Sequence, residues 1–141
     1  MAIEELRPFI STRLATLSLT EWLDGFADDN IPSTIKDRCY HQMIGTATAV
    51  DNTAKGISYS CPINVKIFVK GFVDPYHKIT EAQLLGESVI KAVTNPALFR
   101  SGSITQIYFE SMDVVALDST DDDNLIVIDL VFDCTLFLCF D

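Results

Sequence analysis

Every even-numbered position from Ile126 to Phe140 is apolar: Ile126, Ile128, Leu130, Phe132, Cys134, Leu136, Leu138 and Phe140. The odd positions between them are Leu125, Val127, Asp129, Val131, Asp133, Thr135, Phe137 and Cys139. Successive side chains of an extended chain point to opposite faces, so this period predicts a strand over Leu125–Phe140 with one core face and a second face that is mixed rather than polar. Such a strand spans roughly 50 Å at about 3.3 Å per residue, far beyond the usual five or six residues. It overhangs what a small domain covers with its own helices, and the overhang is apolar surface to be hidden against a neighbour. The plainer alternative is a bend near Asp133 that keeps the whole strand within the chain.

The same periodicities organise the rest. Leu6, Phe9, Ile10, Leu14 and Leu17 recur at helical spacing, with Glu4 and Glu5 ahead of them at the positive end of the helix dipole, predicting a helix over Ile3–Leu17. Pro8 falls in its first turn, where a backbone N–H lacks a partner anyway. Residues Ser18–Thr34 mix Leu19, Trp22, Leu23 and Phe26 with Gly25, Asn30 and Pro32, and read as a short helical turn followed by a loop. Lys36–Val50 reads as a first strand and Asp51–Ser60 as a hairpin connection. Pro62 opens a second strand running to about Val73, in which Ile63, Val65, Ile67 and Val69 alternate with Asn64, Lys66, Phe68 and Lys70. After the Asp74–Pro75 turn, Thr80 with Gln83 forms a capping-box signature, and Leu85, Val89, Ala92 and Val93 form the core stripe of a helix that Asn95–Pro96 stops. Gly86 in that helix marks either a close packing contact or a tolerated surface position. Strands over Ile104–Leu117 and Leu125–Phe140, joined by a turn at Asp118–Asn124, close the chain. The order α, β, β, α, β, β predicts one α+β domain: a mostly antiparallel four-stranded sheet with two main helices on one face and a long C-terminal hairpin.

With 141 residues the chain is long enough to bury a core without staples. No apolar stretch approaches the roughly 18 residues of a membrane-spanning helix, so no membrane partner is expected. The acidic start Met1-Ala2-Ile3-Glu4-Glu5 is unlike a secretory signal, and the protein is expected to stay where it is made. Cys39, Cys61, Cys134 and Cys139 show no CxxC pairing and read as reduced core residues. The net charge of −10 is unevenly placed. Residues 1–100 hold all 10 Lys and Arg with 11 acids, whereas residues 101–141 hold nine acids and no Lys, Arg or His. Such a segment repels nucleic-acid phosphates, which argues against ordinary DNA or RNA binding; its bland role is to solvate loops.

Catalytic motifs are not evident. The sequence contains no nucleotide-binding glycine loop, HExxH, GxSxG or paired CxxC. Asp129 and Asp133 are four residues apart on one strand face, roughly 13 Å, too far for an acid/base couple. Asp118–Asn124 lacks the central Gly and distal Glu of a calcium-binding loop. His41 shares the strand face of Cys39, the arrangement a small Cys/His hydrolase or ligand-binding domain would use, but a structural histidine explains it equally; His77 is the second histidine. No catalytic, cofactor-binding or metal-ligating residue is therefore assigned, and no enzyme activity is expected.

The whole layout nevertheless resembles a known family. The N-terminal helix, two strands joined by a polar hairpin, the Ile79–Val93 helix with its Pro stop, Glu110-Ser111-Met112-Asp113, and the alternating Ile126–Phe140 strand are similar to the tail terminator (tail completion) proteins of long-tailed bacteriophages, the minor tail protein U-like family. The resemblance lies in element order, length and acidic character, and covers nearly all of the chain. It implies a virion protein of the tail and neck, assembled in the host cytoplasm, whose subunits close into a homo-oligomeric ring, expected to be a hexamer. That ring would cap the tail tube, meet the tube protein and the head-neck connector proteins, and let DNA pass without specific binding. On that picture Leu125, Val127, Val131, Phe137 and Phe140 are candidate subunit-interface residues, and Asp118, Asp121, Asp122 and Asp123 are candidates to face the channel. A head-side neck adaptor or a tail-tube subunit would share these features.

Overall fold

In the computed structural model, which describes residues 5–21, 37–70, 75–95, 104–117 and 125–140, the chain is an α+β protein. Its elements are α1 (Leu6–Ala15), β1 (Thr20–Glu21), β2 (Cys39–Ile44), β3 (Thr48–Asn52), β4 (Gly56–Lys70), α2 (Pro75–Thr94), β5 (Ile104–Leu117) and β6 (Leu125–Cys139). They build one six-stranded sheet in the order β1-β2-β4-β6-β5, with β3 also pairing β4. All pairings are antiparallel except β1 with β2, which is parallel. The expectation of four strands is corrected on two counts.

The first extra strand follows from how α1 ends. Leu6, Ile10 and Leu14 are completely buried, as their spacing predicts. The helix then stops because Ser18 takes a left-handed conformation, φ 60°. The Ser18 N–H donates to the Ala15 carbonyl at 3.1 Å and the Leu19 N–H to that of Leu14 at 3.2 Å, which is a Schellman termination. Leu19, only 4% exposed, supplies its apolar contact. The reversal lays Thr20 and Glu21 alongside Cys39 and Tyr40 of β2, where a helical turn and loop were expected.

The second extra strand comes from Pro62. The expected Lys36–Val50 strand is interrupted at residues 45–47, and Pro62 stands inside β4 rather than opening it. The Pro62 carbonyl accepts from the Gly45 N–H at 2.8 Å, so the side of Pro62 that lacks an N–H also faces Gly45. The Gly45 carbonyl, denied a ladder donor there, takes the Cys61 thiol at 3.3 Å instead. A Cβ at Gly45 would approach Pro62 Cγ to 2.6 Å, so only glycine fits this crossing. Because Pro62 turns its missing donor away from β6, the β4–β6 ladder runs unbroken from Gly56↔Cys139 to Lys70↔Leu125.

Both helices lie on one face. Leu6, Ile10 and Leu14 of α1 and Ala82, Val89 and Val93 of α2 share a core with Ile63, Val65, Ile67, Ile128, Leu130 and Phe132. Helix α2 opens at Pro75, well before the Thr80–Gln83 signature, because proline suits the first helical position. Gly86 is a close contact: a Cβ there would collide with Met112 Sδ of β5 and sit 3.4 Å from Ile128 Cγ2 of β6. A polar network fixes α1 at the other end of the sheet. Arg7 Nη2 donates to Glu21 Oε1 at 2.7 Å and Ser11 Oγ to Glu21 Oε2 at 3.0 Å. Gln42 Nε2 reaches Ser11 Oγ at 3.1 Å and Glu21 Oε1 at 3.2 Å.

Candidate functional site: the open face of the sheet

Among the described residues no helix packs on the opposite face of the sheet. Register fixes which side chains meet there. One transverse row joins Cys39, Phe68, Val127 and Val115; the next joins His41, Lys66, Asp129 and Asp113; the third joins Met43, Asn64, Val131 and Ser111. Beyond them Pro62, Asp133 and Tyr108 form a fourth row. The face therefore grades from apolar at one end to polar along its middle.

At the apolar end Cys39, Phe68 and Leu125 form a small buried cluster with Val127 against it. In the middle, Asp113 and Asp129 lie directly opposite each other, a repulsive placement. Lys66 pairs with Asp129 in register from the other side, and Asn64 Nδ2 donates to the Asp129 carboxylate and, at 3.3 Å, to the Leu130 carbonyl. His41 is held below its ordinary 6.5 by burial first, then by Lys66 and Arg7, with Asp129 and Glu21 pulling the other way. Histidine here is neutral at pH 7.

The sequence-predicted interface residues are only partly gathered. Leu125, Val127, Val131 and Phe137 do share the open face. Leu125 is 7% exposed and committed to the Cys39–Phe68 cluster, so it is core, not a free surface. Val127, Val131 and Phe137 are half-buried, and Phe137 lies against Gly56. Phe140 has the opposite parity, stands just past the strand, and is 57% exposed. Asp118, Asp121, Asp122 and Asp123 lie outside the described residues, as do Trp22 and Phe26. Of the acids of the C-terminal third, Asp113, Asp129 and Asp133 all point to the open face.

Cys39 and His41 do sit on one face, but Cys39 is 2% exposed, packed in a small apolar cluster with Phe68 and Leu125. Cys61 and Cys134 oppose each other across β4 and β6 on the helix side, both free and completely buried. Burial pushes the Cys61 thiol up and that of Cys134 up to about 12. Cys139, expected in the core, is exposed because it has the open-face parity of β6 and stands at the last residue of the strand. Among the described residues no group of three or more His, Cys, Asp or Glu could hold a metal ion, and no helix is long and apolar enough to cross a membrane.

The sequence reading passed over Asn64, Lys66 and Asp113 in the middle rows and the exposed Met43, Tyr108 and Val115. The polar phase of β4 was visible in the alternation of Asn64 and Lys66 with apolar neighbours; their alignment with Asp129 depends on register between distant strands. No protein-family model and no curated protein matches this chain.

Proposed function

We propose that this chain is a structural virion protein of a tailed phage, a tail terminator whose copies close into a ring, expected to be a hexamer, that caps the tail tube and joins it to the head-neck connector. The observation that carries the reading is the one-sided sheet. Helices cover one face, while the other sets exposed Met43, Tyr108 and Val115 among Asp113, Asp129 and Asp133. Apolar side chains interspersed with carboxylates suit contact with protein and repel phosphate, so a DNA duplex passing nearby is not retained. The exposed Leu138 and Phe140 at the far end of β6 extend apolar surface beyond the helices, where a tube or neck protein can cover it.

A head-side neck adaptor or a tail-tube subunit would need similar surfaces, and assembly behaviour separates them. Electron microscopy of the purified protein, alone and mixed with tail tubes of the same virus, tests the reading. Single rings seated at one end of each tube are expected. Long stacks of rings would assign a tube subunit instead, and a strict monomer that leaves tubes uncapped would overturn the terminator reading.

A further inference from the structure

Two of the four cysteines meet inside the sheet. Cys61 of β4 and Cys134 of β6 are register partners in the unbroken β4–β6 ladder, and both are free and completely buried on the helix side. The phase of that ladder follows from one bond just beyond its end. There the Phe140 N–H donates to the Lys55 carbonyl at 3.0 Å, on the rung after Gly56↔Cys139. Opposed residues of an antiparallel pair are hydrogen-bonded at every second position, so Ile57, Tyr59 and Cys61 all belong to that set. The Gly45 N–H bond to the Pro62 carbonyl agrees, because it turns the backbone groups of Pro62 away from β6. Hydrogen-bonded partners have Cα atoms about 5.5 Å apart, within the roughly 4.4–6.8 Å that a disulfide spans.

The other two cysteines are out of reach. Cys39 is level with Phe68, seven residues along β4 from Cys61 and on the opposite face. Cys139 lies five residues along β6 from Cys134, also on the opposite face. At about 3.3 Å per residue these separations are roughly 23 and 17 Å, and Cys39 and Cys139 are farther still from each other. The fold therefore permits one disulfide within the chain, and it joins β4 to β6.

Cys61 has a second partner that competes with this bond. Its thiol donates at 3.3 Å to the Gly45 carbonyl, which Pro62, lacking an N–H, leaves without a ladder donor. Bonding to Cys134 turns the Cys61 sulfur from β2 toward β6 and removes its hydrogen. The corner where β2 gives way to β3 then loses that donor, so the two arrangements exclude each other.

We infer that Cys61 and Cys134 form a redox-sensitive clasp: reduced, Cys61 holds Gly45; oxidised by a low-molecular-weight disulfide, it is tied to Cys134 and releases Gly45. One cysteine thiolate attacks a sulfur of the small disulfide and displaces one small thiol; the second cysteine attacks the resulting mixed disulfide and displaces the other. The two protein thiols give up two electrons and two protons, and the small disulfide takes them up as two thiols. Because both cysteines are completely buried, attack waits on local opening of the ladder and is slower than reaction at exposed Cys139. Disulfides persist in oxidising surroundings and are reduced by cytosolic thiols, so the clasp reports which of the two the protein meets. It does not depend on the ring reading.

The test uses the full chain carrying Cys139→Ser, which removes the exposed thiol. The folded protein is equilibrated with excess oxidised glutathione, quenched in denaturant with N-ethylmaleimide, digested with trypsin without reduction, and analysed by mass spectrometry. Cleavage after Lys55, Lys66 and Arg100 leaves Cys61 on residues 56–66 and Cys134 on residues 101–141. These peptides should appear joined, lighter than their sum by two hydrogen atoms, and should separate again after excess reduced glutathione. Amide exchange at Gly45, followed by nuclear magnetic resonance, should quicken on oxidation and slow on reduction. A persistent mixed disulfide with glutathione on either cysteine would overturn the clasp, as would free thiols at every glutathione ratio or a joined pair that forms only in denaturant. A joined pair with an unchanged Gly45 rate would overturn the exchange of partners at Cys61.

Discussion

Gly86 provides a test of the packing in which two effects of known size oppose each other. Replacing it by alanine raises helix propensity by about 1 kcal/mol, because glycine in a helix interior forfeits backbone entropy. Against this, the new methyl would occupy the place of Met112 Sδ, and overpacking a filled site costs typically 1–3 kcal/mol. Met112 is partly buried against the core, so its side chain must swing away from α2 to make room. The balance predicts that Gly86→Ala destabilises the parent by about 0–2 kcal/mol. In a Met112→Ala background the obstruction is gone, and the remaining neighbour, Ile128 Cγ2 at 3.4 Å, is in ordinary contact. There the same substitution should stabilise by about 1 kcal/mol. Urea unfolding followed by far-ultraviolet circular dichroism, at one protein concentration for all four proteins, measures the cycle. Gly86→Ala stabilising both backgrounds equally would refute the claim that α2 approaches β5 closely here.

Further outcomes follow from burial and charge. Leu130→Ala, which empties a completely buried position in β6, should cost about 2–5 kcal/mol, whereas Leu84→Ala, at a position 58% exposed on α2, should stay within about 0.5 kcal/mol in thermal melts. Iodoacetamide at pH 8 should modify Cys139 in the folded protein and leave Cys39, Cys61 and Cys134 intact until denaturant is added; labelling of Cys134 while folded would contradict its burial and its raised thiol. His41, lowered from 6.5 by burial, binds its proton more weakly folded than unfolded. Its contribution to stability is therefore present above about pH 6.5 and lost as pH falls through the depressed folded value. Between about pH 7.5 and 5.5 the parent should lose more stability than His41→Gln, and parallel curves would show that His41 is not perturbed.

What the sequence revealed, and what it hid, divides by the distance over which the determining residue acts. Strand β5 was read to the residue and β6 to within one, because their boundaries depend on local alternation. The stripe of α1 was also plain from Leu6, Ile10 and Leu14. The break in the Lys36–Val50 strand was not legible, since its cause, Pro62, lies on another strand and matters only once paired with Gly45. The Thr80–Gln83 signature misled because Pro75 starts the helix earlier. Leu125 looked available for the same kind of reason: its mixed strand face said nothing of Cys39 and Phe68, which β2 and β4 bring over it. Likewise the polar row of His41, Lys66, Asp129 and Asp113 draws one residue from each of four strands, so no local pattern announces it.

The unbroken pairing of β4 with β6 has a mechanical consequence. Strand β6 lies between β4 and β5 and pairs with both. Ladder hydrogen bonds run perpendicular to the strands, so tension applied along β6 loads both flanking ladders in shear. The rungs share the load together instead of opening one after another, as they would if the strand were peeled from its end. A pull along β6 is thus resisted by the longest continuous pairing among the described residues.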